Sequence, residues 1–155
     1  MDVRIVDFPE TRVAVVSHVG DPAREHETAR RLVAWKLANG FTDAARYRSY
    51  GLHFGDPRRD PSAYRVDFCL SIEKPVGPSA DGIREAVIPA QRCALARDVG
   101  SREDNRAARF LHEDWLPRSG ERVSGAPLIF HYVNVGPRVL PHEAITDVYL
   151  PLAQA

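Results

Sequence analysis

Net charge is the first thing missing from this chain. Its 21 basic and 21 acidic residues cancel, and most arginines alternate with acids. A nucleic-acid footprint needs clustered positive charge, so no direct contact with nucleic acid is expected. Long apolar runs are missing too. Nothing approaches a membrane span, and the opening "MDVRIVDFPE" lacks the apolar core of a signal peptide. The expectation is a soluble cytoplasmic protein with no membrane partner. There are two cysteines, Cys69 and Cys93, each alone in an apolar strand-like run. That is too few and too isolated for a disulfide framework, so both read as buried thiols. Also absent are a glycine-rich phosphate loop, a nucleophile elbow and histidines paired at ligand spacing. The six histidines are scattered, and neither a metal nor a cofactor is expected.

What the chain does contain is a repetition. "FPETRVAVVSHVGD" and "IPAQRCALARDVGS" share a pattern, with Pro9 and Pro89, Arg12 and Arg92, Val19 and Val99, and Gly20 and Gly100 each 80 positions apart. The same offset relates Trp35 to Trp115, Asp67 to Asp147 and Leu70 to Leu150. Unrelated stretches coincide at roughly one position in sixteen from average residue usage. Tryptophan, proline, glycine and aspartate coinciding together therefore point to a tandem repeat, one copy over about 3–74 and the other over about 83–153, within a single domain of 1–155.

Each copy reads as strand, helix, strand, strand. Arg12–Val19 is a valine-rich strand between Pro9 and Gly20. Asp21 and Pro22 open a helix that Asn39-Gly40 closes, with Ala29, Leu32, Val33 and Lys36 or Leu37 at helical spacing. Two strands follow in "YRSYGLHFG" and "YRVDFCLSI", joined by the loop "DPRRDPSA". In the second copy, "RCALARDVG" is the first strand, and a helix with Ser101 as N-cap and Asp104 at its third position runs until Pro117 stops it. "LIFHYVNV" and "AITDVYL" complete the copy, and the linker "EKPVGPSADG" joins the halves. The fold class is α+β: two small sheets, each under its own helix, meeting or joining into one curved antiparallel sheet with a central ligand cleft.

Strand alternation then sorts the side chains. Val66, Phe68, Leu70 and Ile72, with Thr146, Val148, Leu150 and Leu152, form a face expected to pack on the helices. The opposite face, with Asp67, Cys69 and Ser71 against Asp147, Tyr149 and Pro151, is the expected cleft side. Trp35, Trp115, Phe130, Tyr132 and Tyr149 form the aromatic set, with His53 nearby. On spacing alone these aromatics read as core. Asp67 and Asp147 read as structural, through strand-end hydrogen bonding or pairing with the repeated Arg12 and Arg92, rather than as a catalytic dyad. His53, His131, Asp67 and Tyr149 are the candidate general acids or bases, and their spacing selects no reaction.

The ordered set "VAVVSHVG", "LVAWKLANGF", "SYGLHFGDP", "RVDFCLSI", "IPAQRCALARDVG", "DWLPRSG" and "TDVYLPL" resembles the DNA-gyrase-inhibitor-like (GyrI-like) effector-binding domains over nearly the whole chain. That resemblance implies tandem strand–helix–strand–strand repeats holding a drug-like molecule between them, either fused to DNA-binding domains of regulators or standing alone. It implies three functions: ligand sequestration or sensing, ring-opening hydrolysis of a reactive natural product, or modulation of gyrase. The family's usual pocket Glu is replaced here by Phe130, in "IFHYVN", and a frequent Tyr by His53. The expected site is therefore more apolar, with Trp35, Cys69, Trp115, Phe130, Tyr132 and Tyr149 as ligand contacts. His53 is its titratable group near neutrality, and His53 with Tyr149 are the catalytic candidates if the chain is an enzyme. The expected partner is an aromatic small molecule, with DNA gyrase or a regulator protein as further candidates.

Overall fold

The strands that sequence reading begins at Arg12 and Arg92 are each preceded by another. The computed structural model describes residues 1–55, 64–78 and 82–155. In it β1 (Val3–Phe8) and β5 (Arg84–Ile88) come before β2 (Thr11–Val19) and β6 (Gln91–Val99). Each half is thus strand, strand, helix, strand, strand, which corrects the four-element reading. β1 and β5 escape a pattern search because they are short edge strands with charged residues among their exposed positions. The remaining elements are α1 (Glu25–Ala38), β3 (Ser49–Phe54), β4 (Arg65–Ser71), α2 (Arg106–Arg109), a π-helical stretch over Phe110–Trp115, α3 (Leu116–Ser119), β7 (Leu128–Tyr132) and β8 (Ile145–Pro151). The loop "DPRRDPSA" and part of the linker "EKPVGPSADG" lie outside the described residues.

All eight strands form one antiparallel sheet in the order β1-β6-β8-β7-β3-β4-β2-β5, which is symmetric about the β3–β7 seam. The edge strands are exchanged: β1 of the first half pairs with β6 of the second, and β5 pairs with β2. The sheet curls strongly enough that Phe8, on an edge strand, packs edge-on against Tyr50 of β3 and Tyr149 of β8, with ring centroids 5.8 and 5.0 Å away. The inside of the curl is a core of Phe8, Val13, Val15, Tyr50, Cys69 and Ile129. The outer face carries the helices over two further cores, one around Ala14, Leu32 and Leu70 and one around Leu111, Val148 and Leu150.

Local chemistry explains the helix ends. Asp21 accepts the Ala23 N–H at 2.9 Å, so it caps the 3₁₀ turn that leads into α1. Along α1 Leu32 is buried, but Val33 and Leu37, placed in the same stripe by sequence, are 46% and 59% exposed. Ser101 does not cap the second helix. Its Oγ serves only the turn at Glu103. The helix starts at Arg106, whose backbone N–H donates to Asp98 of β6 at 3.1 Å. Pro117 does not stop the helix either, which runs on to Ser119 and ends at Gly120 in the left-handed region. A proline has no N–H, and in α-helical geometry its ring meets the carbonyl four residues back. The widened π turn just before α3 accommodates both problems. The expected aspartate pairings are also redistributed. Asp67 is held by Arg65 at 3.0 Å and Asp147 by Arg97 at 2.7 Å, while Arg12 and Arg92 pair with Glu85 and Glu121.

Candidate ligand-binding cleft

The cleft lies on the helix side of the sheet, over the β3–β7 seam, between the start of α1 and the segment leading into α2. This corrects the expected face. Among the described residues, the side carrying Cys69 and Tyr149 faces into the curl and is packed with apolar side chains. Register decides which residues reach the cleft. Gly51 pairs with Phe130, which pairs with Val148. Because side chains alternate along a strand, His53, Phe130, Tyr132 and Val148 all point outward together.

These residues floor a cavity of about 590 Å³. The His53 imidazole and the Phe130 ring are 4.3 Å apart between centroids, and Phe130 and Tyr132 stack at 6.5 Å. Gly51 makes room for this arrangement. A Cβ placed there would meet the Tyr132 hydroxyl at 2.5 Å, so only a glycine lets the phenol lie across β3. The walls bring polar groups that sequence reading did not select. Glu25, from the first turn of α1, accepts from the Tyr64 hydroxyl at 2.5 Å. Burial first, and then this bond, push the Tyr64 phenol up from its ordinary range. Arg102 lies 5.2 Å over the Tyr132 ring and donates to Thr146 Oγ1 and to the carbonyl oxygens of Asn134 and Ile145. Glu103 and Asp98 complete an acidic side, with Asp98 paired to Arg106 at 2.8 Å. The pocket is less apolar than the expected one: Phe130 occupies the floor, but a carboxylate, Glu25, enters from α1.

His53 does not titrate near neutrality as expected. Desolvation pushes its pKa down to about 4, so the ring is neutral at pH 7. Its Nε2 atom is sealed from solvent and has no hydrogen-bond partner. The other predicted residues are elsewhere. Trp35 packs edge-on against Phe41 in the core under α1, and Trp115 packs among the second-half core residues. The Cys69 thiol contacts the Asp67 carbonyl inside the curl, where burial pushes its pKa up. Tyr149 lies against Phe8, also inside the curl. Of the predicted set, His53, Phe130 and Tyr132 are brought together, and His53 and Tyr149 stand on opposite faces of the sheet. Glu25, Tyr64 and Arg102 carried no signal in the sequence, each being one polar residue among many. Asp98 stands 80 positions after His18, and both tie a strand end to the start of the following helix: His18 contacts Thr28 Oγ1 and the Asp21 carbonyl, each at 2.8 Å. Among the described residues no cluster of His, Cys, Asp or Glu is placed to hold a metal ion, and no helix is long and apolar enough to cross a membrane.

A curled eight-stranded sheet with an aromatic-floored cavity between two helices defines a small-molecule-binding domain. Residues 1–153 match the model of the GyrI-like small molecule binding domain, and the chain belongs to that family. It is 32% identical over 155 residues to the probable transcriptional regulator YgiV of Escherichia coli K12, covering 99% of this chain and 97% of that one. Among solved structures it is similar to the regulator EcmrR in its DNA complex, with a TM-score of 0.78 at 16% identity. There it spans 99% of this chain but only 58% of EcmrR; the matched part corresponds to that regulator's C-terminal domain, 98% of which is covered at a TM-score of 0.75. It is also similar to SAV2435 bound to tetraphenylphosphonium, with a TM-score of 0.60 at 11% identity over 99% of this chain and 94% of that one. At these identities the structural likenesses are ones of fold. The domain is thus related to effector-binding domains of transcription regulators.

Proposed function

We propose that this protein holds an aromatic, largely apolar drug-like or natural-product molecule between its two repeats, in sequestration, resistance or sensing. The observation that carries this reading is the convergence of His53, Phe130 and Tyr132 on one cavity of drug-ligand size. Flat aromatic floors reward flat aromatic ligands, and Glu25 and Glu103 on the walls favour one with a positive end. The full-length likeness to a probable transcriptional regulator supports sensing in particular. Holding is favoured over turnover because the two catalytic candidates, His53 and Tyr149, cannot act on one substrate from opposite faces of the sheet, and a neutral, weakly basic imidazole is a poor proton acceptor at pH 7.

Isothermal titration of the full chain with tetraphenylphosphonium, the ligand of SAV2435, tests the reading. Saturable 1:1 binding, weakened about tenfold by Glu25→Gln and further by Tyr132→Ala, is expected, a tenfold change being about 1.4 kcal/mol. No saturable binding of this cation or of a rhodamine dye would overturn it. Inhibition of gyrase supercoiling in the absence of any small molecule would assign the gyrase-modulating role instead.

A further inference from the structure

A second cavity of about 810 Å³ adjoins the first, running between the π-helical stretch and the segment before β7. The two cavities share His53, Gly55, Asn105 and Phe130. Their common wall is therefore thin, and its centre is the imidazole packed on the Phe130 ring. The polar atom hidden in that wall, His53 Nε2, is sealed and unpartnered. A buried polar atom without a partner costs free energy that a bound group can return, and an aromatic ring in a partition can swing aside where a backbone wall cannot.

We infer that His53 Nε2 is the acceptor for an N–H of the bound ligand, and that the ligand is an amino-substituted aromatic cation which displaces the Phe130 ring and extends from the first cavity into the second. The inference rests on the binding function proposed above and adds to it the ligand's hydrogen-bonding chemistry and its length. An accepting nitrogen fits better than a donating one. Glu25, Asp98 and Glu103 line the first cavity together with the guanidinium of Arg102, which is already bonded to four oxygens, and with Asp98 paired to Arg106 the acidic side is that of Glu25 and Glu103. The acidic side draws in the ligand's positive end, and a delocalised cation presents N–H groups around its rim. An imidazole N–H would oppose them, whereas an imidazole lone pair receives them. The desolvated ring stays neutral at pH 7, so one nitrogen bears a proton and the other a lone pair; with the proton on Nδ1, the lone pair is on Nε2.

Two xanthenium dyes test this on the full chain. Rhodamine 6G carries N–H groups, and tetramethylrhodamine ethyl ester has the same cationic ring system without them. The quantity read is the change in the ratio of their dissociation constants on His53→Phe, which cancels the intrinsic difference between the dyes. The rhodamine 6G constant should rise about tenfold relative to that of the ethyl ester, from loss of one hydrogen bond to a charged partner, and tetraphenylphosphonium, with no N–H, should be weakened less than rhodamine 6G. His53→Gln, whose amide oxygen accepts, should restore part of the ratio. Ala126→Trp, at the exposed end of the second cavity, should weaken both dyes and spare tetraphenylphosphonium. An unchanged ratio, or equal weakening of all three ligands by His53→Phe, would overturn the acceptor role; dyes indifferent to Ala126→Trp would overturn the extension. Failure of all three to bind the wild type would instead strike the binding function itself.

Discussion

The burial of His53 makes a quantitative prediction about acid stability. Its folded-state pKa is pushed from 6.5 to about 4 by desolvation. A group whose folded pKa lies below its unfolded value contributes no penalty above the unfolded pKa; below it, the unfolded chain takes up a proton that the folded chain refuses, and stability falls until the pH passes the folded value. Here that window runs from pH 6.5 down to about 4. The linkage relation gives a loss of about 2 kcal/mol at pH 5 and about 3 kcal/mol at pH 4, specific to this residue. Against a total stability of roughly 5–15 kcal/mol, that is readily measured. The assay compares urea unfolding of wild type and His53→Phe at pH 7, 6, 5 and 4.5. Every other titrating group is common to both, so the difference between the curves isolates the imidazole. Phe keeps the ring packed against Phe130 and cannot charge. The variant should therefore gain on the wild type by about 2 kcal/mol between pH 7 and pH 5. A difference that stays flat across this range would refute the claim that the imidazole is desolvated, and with it the account of the pocket floor.

Two other substitutions probe how the sheet shapes the cleft. Gly51→Ala puts a methyl 2.5 Å from the Tyr132 hydroxyl, so the ring must lift off β3; a loss of about 1–3 kcal/mol in denaturant unfolding and weaker tetraphenylphosphonium binding are expected, and an unaltered protein would show that Tyr132 does not need that seat. Asp98→Ala removes the acceptor for the first N–H of α2 and for the Arg106 guanidinium; unfolding should show a cost of about 1–2 kcal/mol, most of it returned by Asp98→Asn, and no change would mean that solvent caps this helix equally well.

Much of the fold was legible in the sequence because it is written twice. The bounds of β2 and β4 recur 80 residues later in β6 and β8, and the alternation of Phe68, Leu70, Val148 and Leu150 assigned the helix-covered face correctly. The offset breaks down at the seam. Gly51 pairs with Phe68 and Phe130 with Val148, so these two central residues are structural equivalents only 79 apart, and His53 matches Tyr132. Counting at a fixed 80 hides that match, although it governs the floor of the cleft. The exchanged edge strands were equally hidden, since nothing in "VRIVDF" or "REAVI" states which half they join.

Sequence by itself determined the family and the repeated halves, because these depend on local periodicity and on residue identity at fixed spacing. Only the tertiary structure decided which side of the sheet is open. That choice depends on curvature: the sheet closes on the face holding Cys69 and Tyr149 and splays on the other, and curvature is set by packing between strands far apart in sequence, such as Phe8 against Tyr149. The same long-range packing brings Glu25 and Arg102 to the aromatic floor and strips water from the His53 imidazole. Desolvation is a property of the space around a residue, and the chain acquires that space only when its two halves close over one seam.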